Sequence, residues 1–457
     1  MKKIKKIYII MPIIFALSVI IFIFGITDTS AREEKPFTIA VCSGANYEGA
    51  DFTKFAYAYK MARRDQFEVE FIYFNTAEEY EEGIGELFKT GDVPDVFWVY
   101  QDMYTKYANS PYFYDINNFF EADPEFKRSD CYENVLDAFQ VGDKLPVIPF
   151  GFYQPFIAIN HELADKTTPK LSELESVDMA TIIKMYESLD DEYKERFYCW
   201  SGLDQDSAIY KSGYLDLRNQ RAELQNDKFV DLLEKIMEYQ FPPDVRKTSY
   251  FEYDYEDMYS LYFYDKAFVT DDDILPHTYL PLKVPYKDYK VTTNENHNFT
   301  ARTPRFVLDR TPLATYDGRN YIEGANIAAV YSGSTKKDIA WDFIKYGLSE
   351  EINTVSPFLI FHNSLVRHIN ERVLRDTITA YASSYNGDVV TEEMRVDIEE
   401  TAQFLLKSLE GPQFVYNYAS ISGTEEILGE LEAETLSAYD AAVKMQRIVD
   451  IYFIEQD

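Results

Sequence analysis

Three polar residues that directly follow an apolar segment are the leading candidates for binding chemistry in this sequence. Tyr100, Gln101 and Asp102 come after residues 96–99, a run too short and too β-branched for a helix, which is predicted to be a buried strand. Ligands of open α/β sheets bind at the edge where the strands end. An aromatic ring can stack on the C–H face of a sugar, and amides and carboxylates can hold its hydroxyls. We therefore predict that these residues contact a small ligand.

A second aromatic and polar group, Asn46, Tyr47 and Glu48, follows the first predicted strand, residues 37–41. It offers the same ring, amide and carboxylate chemistry, although an ordinary surface loop would have the same composition. Tyr153 and Gln154 stand between two prolines, where the chain is predicted to cross to a second lobe. We expect these two residues at the floor of a cleft.

The remaining candidates flank other predicted strands: Trp200, Thr270, Asp271, Asp272, Gly324 and Asn326. Trp200 would be a stacking platform, or it would pack in a core. The run of aspartates would point into the cleft or form a solvated turn. At Gly324 and Asn326 the backbone would approach a ligand closely, since glycine has no side chain to prevent it.

Catalysis is not indicated. The chain has five histidines and contains no H-E-x-x-H, Cys-x-x-Cys or G-x-S-x-G motif. With 78 aspartates and glutamates, a carboxylate pair at any spacing carries no information. The acidic runs also lack the spacing of a calcium-binding loop. We predict that the protein is not an enzyme and that it has no catalytic residue, metal site or cofactor.

The elements that must position these residues alternate along the first part of the chain. Strands are predicted at 37–41, 69–74 and 95–99, with helices at 52–64 and 78–90 between them. This alternation predicts a parallel sheet with helices on both faces. Further strands are predicted at 156–160, 266–269 and 324–331, and further helices at 179–188, 229–239, 337–348 and through a mostly helical C-terminal end at 425–453.

The N-terminus predicts export. Four lysines precede an apolar run at residues 7–26, and Ala31 offers a cleavage site, which together are the parts of a secretory signal. The run is also long enough to cross a bilayer. Residues 1–31 are therefore predicted to be a signal peptide or an N-terminal membrane anchor, and the lysines place the remainder outside the cytoplasm. The product would be secreted or tethered to the outer face of the cell membrane.

The composition agrees with an exported globular protein. The 457 residues have a net charge of −33 at pH 7, so the surface repels nucleic acid, and no nucleic-acid partner is expected. Three cysteines, at 42, 131 and 199, do not suggest a disulfide framework and are predicted to be buried apolar side chains.

The order of several segments resembles the extracellular solute-binding proteins of bacterial ABC importers, in the carbohydrate-type (family 1) branch. The similar segments are residues 91–100, 142–149, 158–163, 332–344 with its Ala340-Trp341-Asp342-Phe343-Ile344 helix, 360–365 with Asn363, and the closing helix at 439–455. The sequence departs from the family's pattern at two points. No lipid-anchor cysteine follows the apolar run, and Asp265 stands where the family has a glycine before the strand at 266–269.

This resemblance implies an α/β, two-lobe, periplasmic-binding-protein-like fold with a ligand cleft between the lobes. Residues 37–150 and 266–305 would form the N-terminal lobe, and residues 151–265 and 306–457 the C-terminal lobe. The ligand would be a sugar or oligosaccharide, and an ABC permease with its cytoplasmic ATPase would be the partners.

Two alternatives remain open. The same fold could bind a cationic ligand such as a polyamine or a peptide, since the chain is strongly acidic. It could also serve as a membrane-anchored sensory or adhesive protein if the N-terminal segment is not cleaved. A cluster of basic residues in the cleft would count against the cationic ligand.

Overall fold

The computed structural model of the chain describes residues 35–44, 47–99, 101–160, 164–194, 197–199, 205–239, 267–269, 289–292, 298–301, 308–355, 362–385, 390–415 and 421–456. The strands are β1 (Phe37–Cys42), β2 (Val69–Phe74), β3 (Val96–Trp98), β4 (Ile148–Tyr153), β5 (Phe156–Asn160), β6 (Phe197–Cys199), β7 (Leu215–Asp216), β8 (Arg221–Ala222), β9 (Ala267–Val269), β10 (Tyr289–Thr292), β11 (Asn298–Ala301), β12 (Leu308–Pro312), β13 (Asn320–Val330), β14 (Asn363–Ser364) and β15 (Gln413–Val415).

The helices are α1 (Tyr47–Arg63), α2 (Ala77–Thr90), α3 (Gln101–Tyr107), α4 (Asn117–Ala122), α5 (Glu133–Ala138), α6 (Met179–Glu187), α7 (Asp191–Lys194), α8 (Gln205–Tyr210), α9 (Asp227–Tyr239), α10 (Lys337–Gly347), α11 (Glu350–Val355), α12 (Arg367–Tyr385), α13 (Glu392–Ser408), α14 (Thr424–Glu432) and α15 (Ala438–Gln456).

The opening β-α-β-α-β segment has the predicted parallel arrangement, because β1 pairs in parallel with both β2 and β3. Its helix boundaries follow from local chemistry. The side chain of Thr76 accepts a hydrogen bond from the backbone N–H of Glu79 at 3.1 Å and so caps the start of α2. Gly91, at φ 83°, ends that helix in the left-handed conformation that glycine adopts without strain.

The sheet as a whole is mixed rather than parallel. The described strands form a seven-stranded sheet in the order β14-β4-β13-β3-β1-β2, with β15 also paired to β13. Strand β13 runs antiparallel to β3 and β4. The predicted parallel arrangement holds for β1, β2 and β3, and the antiparallel strand β13 enters the same sheet from the second half of the chain.

Two large hydrophobic cores organise the described chain. The first core surrounds this sheet and includes side chains from α1, α2 and α10. The second core gathers α6, α8, α9, α14 and α15 around short strands, including the antiparallel pair β5 and β12. A small third cluster lies between α12 and α13. The predicted α/β class and the mostly helical C-terminal end are confirmed.

The cores divide the chain differently from the predicted lobes in two places. Residues 322–369 contribute to the first core, although they were assigned to the C-terminal lobe, because β13 and α10 pack on the first sheet. Strand β9 pairs in parallel with β6, next to β5, and not with the first sheet. Its assignment to the N-terminal lobe, with residues 266–305, is corrected for that strand.

Cys42 and Cys131 are buried in the first core, and no disulfide joins them in the described part of the chain. Among the described helices, none combines the length and apolar character that a membrane span requires. The N-terminal apolar run, residues 7–26, lies outside the described residues.

Candidate functional site between the two cores

Three chain segments connect the two cores and meet around Ser408. They are the link from β4 to β5, the start of β13, and the link from α13 to β15. The Gln154 side chain donates from Nε2 to the Ser408 carbonyl at 3.0 Å, and the Ser408 hydroxyl donates to Gln154 Oε1 at 2.7 Å. Asn320 donates from Nδ2 to the same carbonyl at 3.0 Å. We call Gln154, Asn320 and Ser408 the hinge triad.

The third connection is also held from the first core. Asn134 on α5 donates from Nδ2 to the Gly411 carbonyl at 2.7 Å, and Gln413 donates from Nε2 to that carbonyl at 2.8 Å. A polar network so placed satisfies the backbone where a strand passes from one core to the other. These hydrogen bonds fix the path of the connecting chain, while the two cores on either side of it remain separate clusters.

A contact from the first core to the second lies beside this hinge. Tyr104 on α3 belongs to the first core and donates its hydroxyl proton to the Phe139 carbonyl at 2.8 Å. Burial raises the pKa of Tyr104 to about 12, and the Arg218 guanidinium beside the hydroxyl partly offsets that rise. Arg218 follows Leu217, a residue of the second core. Tyr104 and Arg218 therefore face each other where the cores meet.

Arg218 packs together with Asp216, Arg319 and the ring of Phe414. We call these four residues the arginine cluster. Asp216 lies 3.2 Å from Arg319 Nη1 and 3.8 Å from Arg218 Nε. Both guanidinium groups stand over the Phe414 ring, at 5.4 Å for Arg218 and 4.6 Å for Arg319. Burial alone would raise the pKa of Asp216, but the two arginines and Asn219 hold that pKa below its usual value.

The predicted crossover residues lie where the prediction placed them in the chain. Tyr153 ends β4, and its ring lies 4.0 Å from that of His362. The Gln154 side chain is 4% exposed and is engaged in the hinge triad. Its position at a crossing is as expected, while a ligand contact for either residue stays a prediction.

Gly324 lies within a strand and not before one. It is buried inside β13, paired with Phe152, and does not precede a strand. A Cβ added at this position would lie 2.7 Å from the Phe139 ring and 2.8 Å from Ile327. The glycine is required by close packing within the first core, and a ligand contact at this position stays a prediction.

Asn326 has a φ of 51° within β13, between the positions paired with Gly151 and Pro149, and the register of β13 with β4 stays the same on both sides of it. The neighbouring Ile327 carbonyl accepts a hydrogen bond from Val99 at the end of β3. Asn326 is 6% exposed, and its Oδ1 finds no hydrogen-bond partner in the described structure. The residue thus places an acceptor at the strand edge where a ligand was expected, and its ligand role stays a prediction.

Of the other candidates, the structure describes the backbone of four. Tyr47 and Glu48 open α1, and Gln101 and Asp102 open α3, so these pairs follow β1 and β3 as predicted. The remaining candidates lie outside the described residues: Asn46, Tyr100, Trp200, Thr270, Asp271 and Asp272. Within the described chain, no group of three or more His, Cys, Asp or Glu side chains is placed to hold a metal ion.

Sequence reasoning did not identify Tyr104, Asp216, Arg218, Arg319 or Phe414. One signal was available for two of them. Asp216 and Arg218 alternate with Leu215 and Leu217, so opposite charges interrupt an apolar strand pattern. Charged residues that are buried are almost always paired, and such an interruption can indicate a polar group inside the fold.

Comparison with solved structures identifies the fold. The chain is similar to an ABC substrate-binding protein from Listeria monocytogenes in complex with cycloalternan, with a TM-score of 0.53 and 13% identity over 91% of this chain and 98% of that one. It is similar to the sugar-binding protein MalE from Xanthomonas citri, with a TM-score of 0.56 and 12% identity over 92% and 98%.

A third similar structure is an extracellular solute-binding protein of family 1 from Alicyclobacillus acidocaldarius, with a TM-score of 0.51 and 12% identity over 92% and 99%. No family model and no curated protein matches the sequence. At these identities the likeness establishes the fold, and it confirms the two-lobe architecture that the sequence resemblance implied.

Proposed function

We propose that this protein is the extracytoplasmic substrate-binding component of an ABC importer. It captures a sugar or oligosaccharide between its lobes and delivers it to a membrane permease that a cytoplasmic ATPase drives. The observation that carries the proposal is the meeting of the two cores at a hinge, with buried aromatic and polar side chains beside it. One similar structure is named a sugar-binding protein and another is in complex with cycloalternan, and both support a carbohydrate as the ligand.

The mechanism follows from a population shift between open and closed lobes. A ligand that touches both lobes favours the closed state by its differential affinity for that state. Tyr104 and Arg218 meet across the boundary between the two cores, and this contact is proposed to form part of the closed arrangement. The free energy of ligand binding drives closure of the hinge and no chemical step. This agrees with the proposal that the protein is not an enzyme.

The direct test is the melting temperature of the full chain against a panel of oligosaccharides, polyamines and peptides. A ligand that binds only the folded state adds about 2.7 kcal/mol at 100 times its dissociation constant. We expect a clear upward shift with one class of sugar. A shift with polyamines alone would favour the cationic-ligand hypothesis, and no shift with any compound would favour the sensory or adhesive role.

A pair of tyrosine variants tests the closing contact. Tyr104→Phe removes the hydroxyl that faces Arg218, so the closed state loses a hydrogen bond of about 1 kcal/mol and the apparent sugar affinity should fall about fivefold. Tyr107→Phe is the matched control, because it makes the same change on the same helix. Equal affinities in the two variants, measured by calorimetry, would contradict a role for Tyr104 in closure.

A further inference from the structure

The arginine cluster brings two guanidinium groups together inside a chain whose net charge is −33. The Arg218 side chain is 4% exposed and that of Arg319 is 22% exposed. They share Asp216, which is 2% exposed, as their buried counter-ion. Asp317 also pairs with Arg319, at 3.0 Å, but it is more exposed and lies 3.5 Å from Arg221 as well. Arg218 is therefore buried and Arg319 partly buried, and Asp216 and the partly exposed Asp317 are the carboxylates that face them.

The cluster also has hydrogen-bonding capacity that the described chain does not use. Arg218 Nε and Arg319 Nη2 are both buried, and neither has a hydrogen-bond partner among the described residues. Buried guanidinium N–H groups are normally paired, because removing them from water without an acceptor is costly. Two such groups beside one phenyl ring call for an acceptor that the described residues do not supply.

The position of the cluster matches that of a ligand held between the lobes. Arg218 reaches Tyr104 of the first core, and Phe414 lies in β15, directly after the hinge connection. The Tyr321 ring packs edge-on against Phe414 at 5.9 Å. An acceptor held here would touch the second core through the arginines and lie close to the first through Tyr104, as closure of the lobes requires.

We infer that the ligand is an acidic oligosaccharide whose uronate-type carboxylate is bound by Arg218 and Arg319. This inference rests on the proposed function and specifies the class of its ligand. A planar guanidinium fork matches a carboxylate in both geometry and charge, and such hydrogen bonds are stronger than those to a neutral hydroxyl. The same pair of arginines repels a cationic ligand, so a polyamine is disfavoured.

The test is calorimetric titration of the full chain with trimers of galacturonate, mannuronate and guluronate, each against its methyl ester. The ester keeps the sugar and its stereochemistry but removes the charge. We expect one acid trimer to bind at least about tenfold more tightly than its ester, as a charge-assisted pair of hydrogen bonds requires. Arg319→Gln and Arg218→Gln should each reduce the affinity for the acid towards that for the ester.

Arg221→Gln is the matched control, since Arg221 lies on the adjacent strand and is 43% exposed. It should leave the preference for the acid unchanged. If Arg218→Gln does not fold, the more exposed Arg319→Gln and the comparison of acid with ester on the unaltered chain still decide the question.

The outcomes separate the two proposals. Equal binding of acid and ester by every pair, or a preference that survives both arginine substitutions, would overturn the inference. Binding of neutral oligosaccharides in that case would leave the importer function intact. A chain that bound neither acidic nor neutral sugars would overturn the proposed function itself.

Discussion

Asp123 shows how a single buried carboxylate secures the first core. Its Oδ2 accepts hydrogen bonds from Trp341 Nε1 and Lys345 Nζ, both at 2.7 Å, and its Oδ1 accepts from the backbone N–H of Glu125 at 2.8 Å. Hydrogen bonding to Lys345, opposed by burial and assisted by Trp341, holds the pKa of Asp123 well below its usual value. The residue therefore ties α10 to the segment that follows α4.

Substitution Asp123→Asn should destabilise the fold by about 1–3 kcal/mol at pH 7, because it removes a charge-assisted network. A carboxylate with a lowered folded-state pKa stabilises the fold above its unfolded pKa of about 3.9 and loses that effect as the pH falls further. The difference between the variant and the wild type should thus shrink at pH 3. Urea unfolding at both pH values measures it.

The control for this prediction is Asp137→Asn, which alters a carboxylate that is 63% exposed and paired with Arg128. Exposed pairs contribute about 0–1 kcal/mol, so this variant should unfold like the wild type. A loss in Asp123→Asn that stayed the same from pH 7 to pH 3 would show that the charge of Asp123 is not the cause.

The candidate residues were predictable only in part. The rule that ligands gather after strands led to Asn46, Tyr47 and Glu48 and to Tyr100, Gln101 and Asp102, because that rule needs only the strand positions. Arg218 and Arg319 are a hundred residues apart and meet over Phe414. Their proximity depends on how the chain between them folds, and no local sequence pattern specifies that path.

At the scale of elements, β13 is the strand that joins the two cores. Tyr321 packs in the second core, and Ile322 and residues 327–330 pack in the first. The sequence predicted this strand at 324–331, whereas it begins at Asn320 in the structure. The added residues pair with β15, a partner more than 90 residues away, so tertiary pairing and not local preference sets the start of the strand.

Two glycine substitutions separate packing from helix propensity. Gly324→Ala should destabilise the fold by about 1–3 kcal/mol, because the new methyl group meets the Phe139 ring inside a packed core. Gly429→Ala, in α14, should stabilise it by about 0.5–1 kcal/mol, because no described atom lies within 4 Å of the added Cβ and alanine favours a helix. Chemical denaturation compares the two variants with the wild type, and a neutral Gly324→Ala would show that β13 has room at this position.

At the scale of the molecule, two cores with a polar hinge between them favour motion of one against the other. The hinge triad joins backbone and side chains with three hydrogen bonds, whereas each core is held by dozens of buried apolar side chains. Packed cores resist deformation, so a displacement concentrates at the connections.

Ligand binding should therefore make the molecule more compact. We expect the radius of gyration from small-angle scattering to fall when the chain is saturated with the sugar that raises its melting temperature. A stereoisomer that produces no thermal shift serves as the control and should leave the scattering unchanged. Tight binding with an unchanged radius of gyration would indicate a ligand held within one lobe.

The sequence by itself determined the elements with strong local patterns. The spacing of apolar residues is different in strands and in amphipathic helices, so a clear local pattern predicts the type of element. The elements β2, β5 and α6 begin and end within a residue of the predicted positions. The ordered set of short segments also identified the two-lobe fold, because that order reflects the whole chain.

Only the tertiary structure decided which distant segments share a core. Three features join residues that are far apart in the chain. They are the return of residues 322–369 to the first sheet, the pairing of β9 with β6, and the packing of Arg218 and Arg319 against Phe414. Such contacts depend on the summed packing of many elements and not on the preferences of any one segment. That is why the elements with strong local patterns could be predicted from the sequence and the arginine cluster could not.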